Sequence, residues 1–359
     1  ARNLENFELS QSYLAFWDKF ERCNYFLESI LETAALPTGD RTVMHILSTG
    51  VHDGGQWDMF ANIVRKYGVV PKDVYDETYQ SSNTRQMNAV LNRALKAAAQ
   101  KLRGMVASGA DDGAIQAEKN KVLDSMYGFL CSCYGEPPKA FSFEYVDKDK
   151  IYHIEENLTP LTFAERYVGD LLEQIVSIIN APTADKPYHK TYTVRLLGNV
   201  AEGRPVVHLN LTMDEFKSAI IAQLKAGKVV WFGSDVGHFG ERTAGIWDDG
   251  SFNFALLTGM DLAMDKANAL DYGLAAMNHA MVLTGVNLDA SGNPTRWKIE
   301  NSWGDKSGDK GYYVCSDSWF DQYVFQAAVE KEYLGDLAAL ASQEPIVLEP
   351  WDPMGTLAD

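Results

Sequence analysis

A histidine and an asparagine are the residues whose types and spacing could carry out chemistry in this sequence. His279 opens the apolar run 280–286, and Asn301, 22 positions later, closes the run 296–301; both runs have the composition of β-strands. Adjacent antiparallel strands can bring two such side chains within hydrogen-bond range. An amide oxygen that faces one imidazole nitrogen fixes the tautomer and leaves the other nitrogen free to take a proton from a thiol.

Taken alone, the pair has a simpler explanation, because a single histidine before an apolar strand is more often a core residue with satisfied hydrogen bonds. Two segments favour the catalytic explanation. Asn278-His279-Ala280 resembles the catalytic-His segment of papain-like cysteine peptidases. Their catalytic-Asn segment, which follows in the chain, resembles Asn301-Ser302-Trp303-Gly304 followed by Lys310-Gly311-Tyr312. The resemblance implies a Cys-His-Asn mechanism. His279 would be the base and then the acid, Asn301 would orient it, and Trp303 would shield their hydrogen bond.

A third segment, Asp53-Gly54-Gly55-Gln56-Trp57-Asp58, resembles the Gly-Gly segment with which these peptidases hold substrate. Glycines suit this task because a peptide can lie against bare backbone and pair with its N–H and C=O groups. The alternative is a plain loop that ends in a helix cap. The resemblance assigns Gly54 and Gly55 to substrate binding, and it also assigns Asn278, next to His279.

Further segments resemble the bleomycin hydrolase and aminopeptidase C branch of the family. They are Phe7–Gln11, Phe16–Lys19, Trp231–Val236, Asp317–Val324 and Glu349–Gly355. The branch implies peptide substrates, a homohexamer, and no metal or organic cofactor. It also implies a C-terminal arm whose terminal carboxylate, here that of Asp359, holds the ammonium group of a substrate and so makes an aminopeptidase. Relatives often finish at an Ala, so the extra Asp359 could shift that carboxylate by one residue.

The nucleophile of this family has no counterpart in the sequence, which lacks the Gly-Arg-Cys-Trp segment at a helix start. The four cysteines are Cys23, Cys131, Cys133 and Cys315. Cys23 lies inside a helical pattern, away from the helix start that would lower the pKa of a thiol. We therefore expect the catalytic cysteine upstream of residue 1 and this chain alone to be inactive. The alternative is a catalytically inactive fragment or pseudoenzyme that acts as an assembly or binding protein.

The composition of the chain disfavours some classes of protein. The chain has 359 residues, 46% of them hydrophobic, which is enough to bury a large core. Its 49 acidic and 32 basic side chains give a formal net charge of −17, which opposes binding to nucleic acid. No apolar run is long enough for a membrane span, and the few cysteines favour a reducing, cytoplasmic location.

Hydrophobic periodicity predicts helices over 9–31, 57–66, 87–106 and 114–129, and β-rich runs dominate after about Lys190. Together with the resemblance, this predicts an α+β, papain-like two-domain fold. The expected parts are the remainder of the helical domain (1–75), a mainly helical insertion (76–190), an antiparallel, barrel-like β domain with His279 and Asn301 (191–335), and the arm (336–359). Three prolines and a glycine after Glu344 predict an extended arm rather than a packed element.

Overall fold

The computed structural model describes Leu4 and residues 7–358. The chain forms two compact units: one holds the residues up to Leu172 together with Leu196–Val206, and the other holds Glu173–Arg195 together with the residues from Val207 onward. A helical part and a large mixed sheet confirm the predicted α+β class. The barrel-like closure of the sheet and the division into four parts stay predictions.

The first unit is built around a long helix, α1 (Gln11–Glu32). The helix begins at Ser10, whose side chain accepts a hydrogen bond from the N–H of Tyr13. Its apolar face, which includes Phe16 and Leu27, is fully buried. The other helices of this unit are α2 (Arg41–Thr49), α3 (Trp57–Tyr67), α4 (Arg85–Ala107), α5 (Asp112–Tyr134) and α6 (Pro160–Tyr167).

Two antiparallel strands, β1 (Phe141–Val146) and β2 (Tyr152–Leu158), complete the first unit. The β1 residue Phe143 belongs to an aromatic cluster, in which it packs edge-on against Phe163 of α6. A short helix, α7 (Leu171–Gln174), leads out of this unit.

The second unit contains one sheet, which has eleven strands within the described residues. In chain order the strands are β3 (Ile175–Ile179), β4 (Thr191–Val194), β5 (His208–Asn210), β6 (Val230–Ser234), β7 (Gly240–Glu241), β8 (Ile246–Trp247), β9 (His279–Leu288), β10 (Pro294–Glu300), β11 (Tyr312–Ser316), β12 (Val324–Glu330) and β13 (Ile346–Leu348). Across the sheet the order is β13-β4-β5-β3-β12-β6-β9-β10-β11-β8-β7.

Further helices accompany the sheet: α8 (Met213–Lys225), α9 (Phe254–Thr258), α10 (Lys266–Asp271) and α11 (Asp317–Tyr323). The α8 helix starts with a capping box, in which Thr212 and Glu215 satisfy each other's backbone N–H. Its buried face, with Phe216 and Ile220, packs into the core of the sheet.

The expectation of an extended, unpacked C-terminal arm is wrong. The β13 strand pairs with β4, and Pro353–Ala358 forms a 3-10 helix in which Met354 and Leu357 are buried. Proline suits the first position of a helical turn, and the two apolar side chains supply a face that can be buried.

Among the described residues, no helix combines the length and the apolar character that crossing a membrane requires.

Candidate active site

The sheet brings His279 and Asn301 together. The β9 and β10 strands are antiparallel neighbours, with His279 at the start of one and Asn301 directly after the end of the other. The Nε2 atom of His279 lies 2.8 Å from Oδ1 of Asn301. The N–H of Ser302 donates to the same oxygen, also at 2.8 Å. Because that N–H can only donate, the amide oxygen is the acceptor, and Nε2 carries the imidazole hydrogen. Nδ1 is then the nitrogen that can exchange a proton.

Aromatic and cationic groups cover the imidazole. Trp303 stacks on the ring of His279, with their centroids 4.9 Å apart. The guanidinium of Arg242 lies over the indole of Trp303, at 4.5 Å from its centroid. Trp247 and Tyr313 contact the edges of the same indole, which fixes its orientation.

The charge state of His279 follows from this environment. Burial lowers the pKa of His279 below its ordinary value, the hydrogen bond to Asn301 raises it in part, and the charge of Arg242 lowers it again. The imidazole is therefore neutral at neutral pH and can accept a proton at Nδ1.

Asn278 is tied to a buried carboxylate, Asp235. Its Nδ2 donates to Asp235 Oδ1 at 2.6 Å, and its Oδ1 accepts from the N–H of Val236 at 3.0 Å. The other oxygen of Asp235 accepts from the N–H of Ala276 at 3.1 Å. These bonds cross-link the turn before His279 to the end of β6, so the amide of Asn278 is used to hold the protein's own backbone.

The C-terminal segment reaches the same turn. The hydroxyl of Thr356 donates to the carbonyl of Met277, two residues before His279, at 2.9 Å. Asp352 forms an ion pair of 2.8 Å with the nearly buried Lys186 and so holds the start of the 3-10 helix. The predicted substrate ligand Asp359 lies outside the described residues.

Gly54 and Gly55 belong to the first unit, in the loop between α2 and α3. Two buried cations of α1 hold this loop: Lys19 donates to the carbonyl of His52 at 2.6 Å and pairs with Asp53, and Arg22 donates to the carbonyl of Gly54.

The side of the loop next to α4 is held as well. Asp53 accepts from Thr84 at 2.6 Å and from Asn88 at 3.2 Å. Asn92 pairs with both backbone groups of Val51. Side chains from two helices thus fix the backbone that leads to the two glycines.

None of the four cysteines has the environment of a nucleophile. Burial raises the pKa of Cys23 to about 12 and raises that of Cys315 well above its ordinary value. Cys131 and Cys133 lie at the end of α5, and burial raises the pKa of each thiol. Within the described residues, no cluster of three or more His, Cys, Asp or Glu side chains could hold a metal ion.

Sequence reasoning missed several residues that shape these sites: Lys19, Arg22, Asp235, Arg242 and Thr356. Lys19 and Asp235 lie in segments that resemble the family, and this is the only signal that could have pointed to them. Arg242 and Thr356 lie in loops or at the chain end, where neither spacing nor periodicity indicates a contact.

Comparison with known proteins places the chain in a family. The family described as Peptidase C1-like matches residues 1–355. The chain is 52% identical over 357 residues to aminopeptidase C of Streptococcus thermophilus, and the match covers 99% of this chain and 80% of that protein. It is 41% identical over 365 residues to human bleomycin hydrolase, again covering 99% of this chain and 80% of the relative.

A solved structure agrees with these relatives. The crystal structure of PepW from Lactobacillus rhamnosis HN001 superposes with a TM-score of 0.95 at 52% identity, and the match covers 99% of this chain and 80% of that one. A sequence identity of 52% over nearly the whole chain indicates membership of the same family and not only a similar fold. The chain therefore belongs to the Peptidase C1-like family.

Proposed function

We propose that this chain is the main part of a cysteine aminopeptidase that removes N-terminal residues from peptides by a Cys-His-Asn mechanism. The observation that carries the proposal is the 2.8 Å hydrogen bond from His279 Nε2 to Asn301 Oδ1, which leaves Nδ1 as the proton-exchanging atom. The relatives named aminopeptidase C and bleomycin hydrolase support the class of reaction.

The nucleophile is a cysteine of the full-length protein that precedes residue 1. The chemistry of the four cysteines in the chain supports this, because Cys23 and Cys315 are buried with raised pKa values and Cys131 and Cys133 lie at the end of α5. On this proposal the chain alone has no peptidase activity.

In the reaction, His279 Nδ1 takes the proton of the cysteine thiol, and the thiolate attacks the carbonyl carbon of the first peptide bond. The resulting imidazolium gives its proton to the departing amine as the C–N bond breaks, and a thioester forms. Water then attacks the thioester while His279 removes its proton, the C–S bond breaks to release the carboxylic acid product, and His279 returns the proton to the thiolate. Asn301 holds the imidazole in one tautomer, and Trp303 excludes water from their hydrogen bond.

The position of the C-terminal segment supports exopeptidase action. Thr356 contacts Met277, so the chain end lies beside the turn that carries His279. A terminal carboxylate held there would bind the ammonium group of a substrate and align its first peptide bond. Deletion of residues 356–359 from the full-length protein tests this. Internal cleavage of peptides should appear, and continued removal of single N-terminal residues alone would contradict the arm hypothesis.

We propose that Gly55 rather than Gly54 offers the N–H group to a peptide. The carbonyl of Gly54 points to Arg22 on α1. The described peptide bonds are all trans, so the N–H of Gly55 points away from α1. It is free for a carbonyl or carboxylate oxygen of a peptide chain. Asn278, by contrast, serves to position the turn before His279.

We also propose that the protein is a cytoplasmic homohexamer. Support for self-association comes from an exposed apolar segment, residues 254–264, in which Leu256 and Leu257 are 82% and 80% exposed. Met260 and Leu262 of the same segment are 62% and 52% exposed, and a contiguous exposed apolar patch of this kind is typical of a protein–protein contact. Analytical ultracentrifugation of wild type and Leu256→Glu tests this, since a monomeric wild type would contradict it.

Labelling of the full-length protein with iodoacetamide at pH 6 tests the peptidase proposal. Transfer of the thiol proton to the neutral imidazole of His279 leaves an imidazolium beside the thiolate, and this pairing keeps the sulfur ionised, so one cysteine upstream of residue 1 should react much faster than the four cysteines of this chain. Its alkylation should abolish peptide hydrolysis. Uniformly slow labelling would contradict the proposal and favour an inactive protein with a binding role.

A further inference from the structure

An arginine near the imidazole has no anionic partner in the protein. Arg242 directly follows β7 and is exposed, and its guanidinium lies 4.5 Å from the centre of the Trp303 indole. Within the described part of the chain, no carboxylate forms an ion pair with this guanidinium. The adjacent carboxylate of Glu241 accepts instead from the backbone N–H groups of Thr243 and Ala244, at 3.2 and 2.5 Å. The N–H donors of Arg242 are therefore available to a ligand.

The backbone of Arg242 is fixed against the loop 302–311, which carries the indole. The hydroxyl of Ser307 donates to the carbonyl of Arg242 at 3.2 Å, and the N–H of Gly308 donates to the next carbonyl along the chain, also at 3.2 Å. The two segments meet at glycines, since a Cβ atom on Gly245 would lie 2.6 Å from Cα of Gly308, which is too close for a side chain. The fold therefore determines where the arginine stands.

The departing part of a substrate comes close to this arginine. In the proposed reaction His279 gives its proton to the amine that leaves, so the nitrogen of the first departing residue must come within hydrogen-bond reach of the imidazole. The imidazole lies 4.9 Å and the guanidinium 4.5 Å from the centre of the same indole. The two groups are then at most about 10 Å apart, a distance that two to three extended residues span. A charged group on the first or second departing residue can reach Arg242.

Electrostatics determines which group would gain from this position. The formal net charge of −17 repels acidic peptides in general. A cation without an anionic partner offsets this repulsion locally, and a guanidinium binds a carboxylate through two parallel N–H donors. An amide of the same shape has one acceptor oxygen and no charge, so it would gain much less. Arg242 therefore favours a carboxylate over the matching amide.

We propose that Arg242 is a specificity-determining residue that binds a carboxylate on the departing part of the substrate. This rests on the proposed peptidase function. The carboxylate comes either from the side chain of an acidic residue directly after the hydrolysed bond or from the free C-terminus of a short peptide. Both sources supply the same acceptor, and the contact with the indole of Trp303 keeps the guanidinium in place to meet it.

Two pairs of substrates test the proposal in the full-length protein. In the first pair, Ala-Asp-Gly-amide and Ala-Asn-Gly-amide, the Asp side chain is the only carboxylate. In the second pair, Ala-Gly and Ala-Gly-amide, the free C-terminus is the only carboxylate. Wild type should hydrolyse the carboxylate member of at least one pair with a kcat/KM about three- to tenfold higher, mainly through a lower KM. Added salt should reduce this preference, because the guanidinium is exposed.

Substitutions of Arg242 show whether this residue causes the preference. Arg242→Met should abolish the preference, Arg242→Lys should keep part of it, and Arg242→Glu should make Ala-Lys-Gly-amide a better substrate than Ala-Asp-Gly-amide. The preference is a ratio of two rates of one enzyme, so a lower stability or a changed pKa of His279 acts on both members of a pair. Arg296→Met is the matched control, because Arg296 is an exposed arginine of β10, and it should keep the wild-type ratio.

The outcomes separate the two proposals. A preference between the Asp and Asn peptides that Arg242→Met abolishes supports binding of a side chain, and one confined to Ala-Gly and its amide supports binding of the C-terminus. Equal rates of wild type within both pairs, or a preference that Arg242→Met retains, would overturn the role of Arg242. If wild type hydrolyses no peptide at all, the proposed function fails instead.

Discussion

The indole of Trp303 stacks on the imidazole of His279 with an angle of 28° between the ring planes. Arg242 is held over the same indole, so a positive charge is kept near the imidazole. A nearby cation disfavours protonation of a histidine, and this agrees with the direction of the His279 pKa shift. Trp303 thus places Arg242 where it keeps His279 neutral.

Replacement of Arg242 by Met should raise the pKa of His279. The methionine removes the charge but keeps apolar contact with Trp303. Burial still lowers the pKa, so we expect only a small upward shift, because Arg242 is exposed and its field is screened. NMR titration of the chain from residue 1 to 359 measures the pKa of the His279 imidazole in the absence of the proposed catalytic cysteine.

The control is Arg296→Met, which removes an exposed arginine from β10. This change should leave the titration of His279 where it is. Added salt should reduce the difference between wild type and Arg242→Met. An unchanged pKa in Arg242→Met at low salt would show that the Trp303 stack does not transmit the charge.

Replacing His279 and replacing Asn301 should lower kcat/KM by different factors. In the full-length protein, His279→Ala should lower kcat/KM by roughly 10³-fold or more, since it removes the general base. Asn301→Ala should lower it by roughly 10–100-fold, because the imidazole stays but loses the acceptor that fixes its tautomer. Steady-state hydrolysis of an aminoacyl amide measures both.

Asn287→Ala is the control for the asparagine, because Asn287 lies exposed on β9 and its side chain bonds to Thr295 in the strand beside it. Its kcat/KM should remain at the wild-type value. Equal activity of Asn301→Ala and wild type would remove Asn301 from the mechanism.

The contact between His279 and Asn301 could be predicted because both residues sit at the ends of recognisable strands and in segments that resemble a known family. Short β-rich runs and flanking glycines identify β9 and β10, and the capping box at Thr212 identifies the start of α8. These signals lie within a few residues of each element, so they locate the elements that local sequence determines.

Other parts could not be predicted because their signals are ambiguous or non-local. The β12 strand is buried at six of its seven positions, so it lacks the alternation that marks a half-buried strand. The same holds for β3, whose apolar run does not distinguish a strand from a buried helix. The contact of Thr356 with Met277 depends on packing between segments 79 positions apart. The prolines near the chain end predict an extended arm, but the burial of Met354 and Leu357 stabilises a 3-10 helix there.

The loop at Gly55 should lose its shape when Arg22 is replaced. Arg22 bonds to Asp18 at 2.7 Å through Nε and to the Gly54 carbonyl through Nη2. Arg22→Met breaks both contacts and frees the Gly54–Gly55 peptide plane to rotate. In the full-length protein KM for peptides should rise about three- to tenfold, as one oriented backbone contact is lost, while kcat changes less.

Two further variants sharpen this test. Arg22→Lys keeps the charge but cannot reach both acceptors, so it should also raise KM. Lys119→Met removes another nearly buried cation bonded to α1, through Glu28, and does not touch the loop. It should lower thermal stability without raising KM. A rise in KM for Lys119→Met equal to that for Arg22→Met would mean that the effect is a general loosening of the unit.

A buried histidine in the sheet should make the stability of the protein depend on pH. His208 is fully buried, and its Nδ1 lies 2.8 Å from the hydroxyl of Ser177, which accepts a hydrogen bond from Gln326. Burial lowers the pKa of His208 to about 4. In the unfolded chain the imidazole titrates near its ordinary value of about 6.5. Between these values only the unfolded state gains a proton, so stability falls as pH decreases from about 6.5 to about 4.

His208→Asn removes this titration while keeping a side chain that can donate to or accept from Ser177. The variant should be less stable than wild type at pH 7.5, because a smaller side chain leaves a gap. Its disadvantage should shrink by about 3 kcal/mol between pH 7.5 and pH 4, the amount that a pKa difference of this size contributes. Urea unfolding at five pH values measures the difference, and His189→Asn, at an exposed position, controls for the loss of one histidine. A disadvantage that stays constant with pH would mean that His208 is protonated in the folded protein as readily as in the unfolded chain.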